Sequence, residues 1–254
     1  MRKIVLAAAL AAVLPVSGLN AAEEAVLPKQ DWTFNGVFGK FDKEQLQRGF
    51  QVYKEVCSNC HSLKYIAFRN LEALGYSDEQ VKSLAAQYQI EDGPDDSGDM
   101  FKRKGKASDY MPKPFPNEQA ARASNGGALP PDLSLIVKAR EGGPDYVYNL
   151  LLGYEDAPAD MKMAPGMNYN KYFTRGAFQL AMAQQVKDGV VTFADGSPND
   201  AAHIAKDVTA FLAWTAEPKL EARHSTGFRV MLYTLLFTVL AYFLKRRIWS
   251  RIGH

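Results

Sequence analysis

The chain has 254 residues, 47% hydrophobic and 23% charged, with a mean hydropathy of −0.24. These values exclude a disordered chain, a collagen-like fibre and a many-spanning membrane protein, and two cysteines, at 57 and 60, are too few for a disulfide scaffold. The net charge of +2 conceals an asymmetry: setting aside Arg2 and Lys3 at one end and Lys245, Arg246, Arg247 and Arg251 at the other leaves 24 basic against 28 acidic residues, an acidic body unsuited to nucleic acid.

The N-terminus has the pattern of a secretory signal. Arg2 and Lys3 precede eleven apolar residues, Ile4 to Leu14, then the breakers Pro15, Ser17 and Gly18 and the small residues Ala21-Ala22. Eleven apolar residues are too few to cross a hydrocarbon core of about 30 Å, so residues 1–22 are expected to be cleaved. The body, 23–222, reads as mainly helical with long loops. Asp42-Lys43-Glu44-Gln45 has the spacing of a capping box, followed by Leu46, Gly49, Phe50 and Tyr53 on one helical face. Ser77-Asp78-Glu79-Gln80 opens a second helix with Val81, Leu84, Ala85 and Tyr88 inward. Pro and Gly are dense from Gly93 to Pro131, so that stretch is expected to wrap rather than span. Short helices are predicted near 117–124, 132–140 and 145–152, closed by Gly126-Gly127, Gly142-Gly143 and Gly153. Val190-Val191-Thr192-Phe193 before Asp195-Gly196 suggests a hairpin arm. A last body helix starts near Asn199-Asp200, turns Ile204, Val208, Phe211 and Leu212 inward, and stops at Pro218.

The C-terminal segment, 223–254, differs. Phe228 to Leu244 is apolar but for Arg229 and a few Thr and Tyr, about 26 Å of helix. Arg229 can snorkel, and the basic residues after Leu244 place the C-terminus in the cytoplasm by the positive-inside rule. With an exported N-terminus, the acidic body then faces the other side.

The chemistry concentrates in Cys57-Ser58-Asn59-Cys60-His61. Two thiols three residues apart can each add to one haem vinyl group, and the next residue, His61, then lies over the iron: the c-type haem attachment pattern. A thioredoxin-like pair needs no His and lies near a βαβ pattern, which is absent; a zinc site needs further thiols, and the chain has none. Haem iron takes a sixth ligand for electron transfer or keeps an empty site for gas binding, and a Met thioether as sixth ligand raises the potential. His203 reads as a surface or core histidine, His224 abuts the membrane helix and His254 is terminal. Met100, Met111, Met161, Met163, Met167 and Met182 remain, and spacing does not choose among them. The acidic run Glu91, Asp92, Asp95, Asp96 and Asp99 reads either as a solvated loop or as a docking field for a basic protein; it lacks the EF-hand spacing of a calcium loop.

Over roughly Lys29 to Arg251 the chain closely resembles the cytochrome c1 family, the haem subunits of cytochrome bc1 (quinol:cytochrome c reductase) complexes. The resemblance rests on Cys57–His61, on Ile90-Glu91-Asp92-Gly93-Pro94, and on Ser108-Asp109-Tyr110 with Pro112-Lys113-Pro114. It continues through Ala121-Arg122-Ala123, Asn125 to Ser134, Asp145-Tyr146-Val147-Tyr148, Lys206-Asp207-Val208 and Ala216-Glu217-Pro218. It implies a mainly α, cytochrome c-like haem domain with long loops and one C-terminal transmembrane helix. It implies one covalent haem c, with His61 and Met182 as iron ligands and Cys57 and Cys60 as attachment points. Asn125, Ala128, Leu129, Pro130 and Pro131 match a haem-packing stretch, Arg140 a propionate partner, and Tyr146 and Leu151 further contacts. Met182 follows Asn170-Lys171-Tyr172-Phe173 and precedes Gly196 by fourteen residues, as the family's ligand does. Met163-Ala164-Pro165 is closer letter by letter to the family's Met-Ala-Pro-Pro but lies before the Tyr-Phe segment. Gln184-Gln185 departs from the usual Pro-Pro. The resemblance implies a single-pass protein of a bacterial inner membrane, its haem domain in the periplasm. It would take an electron from the Rieske iron–sulfur protein, beside cytochrome b in a dimeric complex, and pass it to a basic soluble or tethered cytochrome c. Alone the chain would be a carrier and not a catalyst. A haem-based gas sensor with five-coordinate iron, and a haem enzyme with an open distal site and a catalytic base, are the rivals; the single CxxCH and the lack of a second well-placed His oppose the enzyme.

Overall fold

The computed structural model describes residues 27–252; the expected signal segment lies outside them. Four body helices begin at side-chain caps that the sequence displays. Asp42 accepts from the Glu44 and Gln45 N–H groups at the head of α1 (Lys43–Glu55), and Ser77 closes a full capping box with Gln80 on α2 (Asp78–Ala85). Asn117 caps α3 (Glu118–Ser124), and Asp200 caps α5 (Ala201–Ala216). The box expected at α1 is half made, because Gln45 Nε2 instead donates to Asp207 Oδ1 on α5 at 3.0 Å.

The core is the crossing of α1 and α5. Leu46, Phe50, Val52 and Tyr53 pack against Ile204, Val208, Phe211 and Leu212, all buried, with the Phe50 and Phe211 rings 5.6 Å apart. Gly49 allows the close approach: a Cβ there would fall 2.1 Å from the Asp207 carbonyl oxygen. Also at this crossing, the wholly buried Asp207 carboxylate takes Arg48 Nε at 2.7 Å, with the His203 ring nitrogen 3.4 Å away. Arg48 reaches on to Asp195 at 3.1 Å. α4 (Gly143–Leu152) packs on α5 as well, and its Asp145 anchors the N-terminal segment by accepting from the buried Trp32 indole at 2.7 Å. A 3₁₀ stretch, Phe68–Leu74, buries Phe68, Leu71 and Leu74 beside α2.

Three expectations are corrected. Residues 132–140 form a series of turns, with bonds such as Ile136 N–H to Leu133 O, rather than a helix. Gly142 therefore closes nothing; at φ +81° it is the N-cap of α4, which starts at Gly143 and Pro144. Residues 190–193 make no hairpin: Val191 and Phe193 are buried in irregular chain. The described strands are elsewhere. β1 (Gln89–Asp92) pairs antiparallel with β2 (Phe101–Lys104), inside the stretch expected only to wrap, and β3 (Asn168–Tyr169) pairs with β4 (Gln179–Leu180).

The last helix, α6 (Leu220–Trp249), contains the apolar run and is long and apolar enough to cross a membrane, with none of its most apolar window buried against the body. Its first turn is tied to the body: Glu221 accepts from the Phe41 N–H at 3.0 Å, and Arg223 pairs with Glu217, the C-cap residue of α5, at 2.5 Å.

Candidate haem site

α1 ends at Glu55, and the chain tightens into a 3₁₀ turn, Cys57–Asn59. The N–H groups of Cys60 and His61 both donate to the Cys57 carbonyl, at 3.1 and 2.9 Å. This turn places both thiols and the imidazole at the end of one rigid helix. Neither cysteine is in a disulfide. Burial, then Cys60, pushes the Cys57 thiol up to about 12, so it stays protonated at neutral pH.

His61 is fixed from two sides. The Tyr53 hydroxyl donates to its carbonyl at 3.0 Å, and its Nδ1 lies 2.8 Å from the Pro131 carbonyl. A carbonyl only accepts, so Nδ1 carries the proton and Nε2 presents its lone pair. Among the described residues nothing hydrogen-bonds Nε2. Burial lowers the pKa of His61, only partly opposed by the Pro131 carbonyl and Asp132, which keeps the ring neutral. A neutral imidazole whose far nitrogen donates to a backbone carbonyl is the usual arrangement of a metal-ligating histidine.

The residue after Pro131, Asp132, ties this segment to the chain that follows His61. Its carboxylate accepts from Ser62 Oγ at 2.7 Å, Lys64 N–H at 2.8 Å and Ser134 N–H at 3.0 Å. Burial works against ionisation of Asp132, but these donors outweigh it and its pKa falls below the ordinary range. The segment 128–131 leaves apolar surface open beside His61: Leu129 and Pro131 are exposed. Arg140 makes no ion pair among the described residues, donating only to the Ala139 carbonyl. Its charge and that of Arg175 both act on the Tyr146 hydroxyl, where burial is the larger effect and raises the pKa. Arg175 was not legible as part of this corner, since no motif marks it. Leu151 packs partly buried on the core, and Asn125 is bound through Nδ2 to the Ala121 carbonyl.

The methionines separate by environment. Met111 is a core residue, and Met100 and Met167 are exposed. Met161 and Met163 are half-buried in an extended loop without regular structure, and Met182 is half-buried just after β4. Two free thiols, an imidazole with an open Nε2, available thioethers, open apolar surface and an unpaired guanidinium form a donor set that fits a haem of the c type. Among the described residues no group of three His, Cys, Asp or Glu forms another metal site.

The acidic run is divided by the structure. Asp92 and Asp109 pair with Arg103 on β2, Asp109 at 2.6 Å, and Asp95 caps its own turn by accepting from the Ser97 and Asp99 N–H groups. Glu91, Asp96 and Asp99 stay exposed. Hydrogen bonding to Arg103 pulls Asp109 down to about 2. A carboxylate so depressed stabilises the fold above its unfolded pKa and loses that effect only as pH falls toward 2, so this clamp on the hairpin persists through mild acid.

A mainly helical domain bearing a CxxCH turn with an oriented histidine, on one membrane-length helix, fits the class of membrane-anchored c-type cytochromes. The chain belongs to the Cytochrome C1 family, whose sequence pattern matches residues 32–252. It is 44% identical over 260 residues to cytochrome c1 of Rhodospirillum rubrum, covering 95% of each chain. It is 45% identical to the mitochondrial cytochrome c1 heme protein of Saccharomyces cerevisiae, covering 94% of this chain and 77% of that one. It is 51% identical over 245 residues to a cytochrome b/c1 of Bradyrhizobium diazoefficiens, covering 88% of this chain but about a third (35%) of that longer protein. Family membership implies a haem-binding subunit of a bc1 complex.

Proposed function

We propose that this chain is a one-electron carrier holding a single haem c, thioether-linked through Cys57 and Cys60, with His61 and Met182 as the residues that would ligate the iron. The observation that carries the reading is the His61 ring, bonded at Nδ1 to Pro131 and open at Nε2, one residue beyond the thiol pair. Bound haem supplies the ferric–ferrous couple. The chain's own residues do the rest. The turn after α1 and the Asp132 segment orient the imidazole; Leu129, Pro130 and Pro131 would supply apolar cover for the haem and help to exclude water, and Arg140 would compensate a propionate. Asn125, Ala128, Tyr146 and Leu151 complete the packing.

The electron arrives from the Rieske iron–sulfur protein and leaves to a basic soluble or tethered cytochrome c, in a dimeric complex with cytochrome b. Residues 1–22 act as a cleaved signal, 23–222 as a periplasmic haem domain, and 223–254 as an inner-membrane anchor with a cytoplasmic tail. The apolar, outward-facing surface of α6 and its basic end support the last assignment.

Docking through the acidic body has a direct test. Electron transfer from the purified complex to a basic cytochrome c is expected to slow several-fold as salt rises past its optimum, because screening shortens to about 10 Å at 0.1 M. Neutralising Asp96 and Asp99 should flatten part of that dependence without unfolding the hairpin, whose clamp is Arg103. A rate indifferent to salt would remove the steering role.

A further inference from the structure

The main chain around Met182 is tethered on either side but sparsely in between. Upstream, β3 and β4 pair as far as Leu180, and the Asn170 N–H bonds the Phe178 carbonyl at 2.9 Å. Downstream, Val186 is fully buried. Between Ala181 and Gln185 the Gln184 and Gln185 side chains only reach back to the loop itself, to the Val186 and Ala183 carbonyls at 3.3 and 3.0 Å. Glutamine leaves φ unlocked where a proline would fix it. Among the described residues, one group from elsewhere in the fold hydrogen-bonds this five-residue main chain: the Tyr154 hydroxyl, donating to the Met182 carbonyl at 2.9 Å.

Tyr154 is a firm donor. It follows the C-cap Gly153 of α4 and bridges to Asn170. Asn170 is completely buried and donates to the Leu150 carbonyl at 2.7 Å, while the Lys171 N–H bonds the Gly153 carbonyl at 3.0 Å. The phenol is therefore fixed to the end of α4 before it meets the loop. Burial raises its pKa, so it stays protonated and able to donate.

We propose that Tyr154 is the positioning residue for the Met182 sulfur, its hydroxyl pinning the ligand loop to α4 through the Met182 carbonyl. The inference rests on the proposed ligation by Met182. A pinned carbonyl fixes the Cα of the same residue and so the volume its thioether can sweep. Without the pin, the loop between Leu180 and Val186 keeps only its own internal bonds, and the sulfur spends more time off the iron.

The test is Tyr154→Phe in the full chain, purified in detergent from membranes, beside Met182→Leu and the wild type. Phenylalanine keeps the ring and removes only the hydroxyl. The ratio of detached to attached Met182 is expected to rise about twofold to tenfold, the effect of one ordinary hydrogen bond. It is read as a weakened sulfur-to-ferric-iron absorption band and as carbon monoxide binding by the reduced protein. Adding Gln184→Pro and Gln185→Pro in the Tyr154→Phe background is expected to restore the band, because fixed φ angles replace the lost tether. If Met182→Leu abolishes the band and Tyr154→Phe leaves it unchanged, the positioning role is overturned and the ligand stands. If Met182→Leu leaves the band intact, the ligand reading fails and the inference with it. A weakened band that follows a matching loss of thermal stability and is not restored by the prolines overturns the inference in favour of general packing.

Discussion

Met182→Leu is expected to lower the haem reduction potential by on the order of 0.1 V or more, within the span of about 0.8 V that axial ligands command. The cause is chemical. A thioether is a soft, neutral donor that favours ferrous iron, and leucine keeps most of the bulk while removing the sulfur. The sulfur-to-ferric-iron band should vanish and the reduced protein should bind carbon monoxide. Transfer from the Rieske protein should then become uphill, and turnover of the complex should fall steeply. Met163→Leu is the control. Met163 lies in the irregular loop before β3, so its loss should leave band and potential unchanged. The reverse pattern, with the band lost in Met163→Leu and kept in Met182→Leu, would move the ligand to Met163. Loss in neither variant would favour an iron without methionine, as in a gas sensor.

Asp207→Ala is expected to be the most destabilising single change in the body. Asp207 is wholly buried and serves Arg48, Gln45 and the neighbouring His203 at the crossing of α1 and α5. Arg48 is itself mostly buried, with 15% of its side chain exposed. Removing the carboxylate leaves the mostly buried guanidinium with only the half-exposed Asp195 as a partner, and losing the buried half of such a network costs about 3 kcal/mol or more. For a domain of this size that lowers the midpoint of thermal unfolding by on the order of 10 °C. Asp207→Asn retains an oxygen acceptor and should cost less. Thermal melts followed by circular dichroism measure both, and a shift within about 2 °C for Asp207→Ala would show that the network adds little. The haem spectrum of Asp207→Ala at low temperature should be unchanged, because the network touches none of the site residues.

What was legible in the sequence was local chemistry. Cys57, Cys60 and His61 are adjacent in the chain, so their geometry follows from one helical turn. The caps Asp42, Ser77, Asn117 and Asp200 act within three residues, and the apolar run inside α6 needs no partner to be recognised. Long-range demands were hidden. Leu133 and Val137 have helical spacing and are buried, yet the Asp132 side chain commits that segment to Ser62 and Lys64, and turns result. The β1–β2 hairpin has no apolar signature in the sequence because its stem is charged, Phe-Lys-Arg-Lys against Gln-Ile-Glu-Asp, and is held by Arg103 rather than by an apolar face. Val191 and Phe193 look like a strand because they are buried, but among the described residues no strand pairs with them. Tyr154 carries no motif; only the fold brings it to Met182.

Covalent attachment of the haem through Cys57 and Cys60 is the central claim, and extraction tests it most directly. Membranes containing the chain are treated with acidified acetone, and the spectrum of the precipitated chain is read after reduction. The haem should stay with the wild-type chain and pass into the organic phase, or be missing, when both Cys57 and Cys60 are alanine. A wild-type chain that surrenders its haem to the solvent, or a double variant that retains it, would contradict the account.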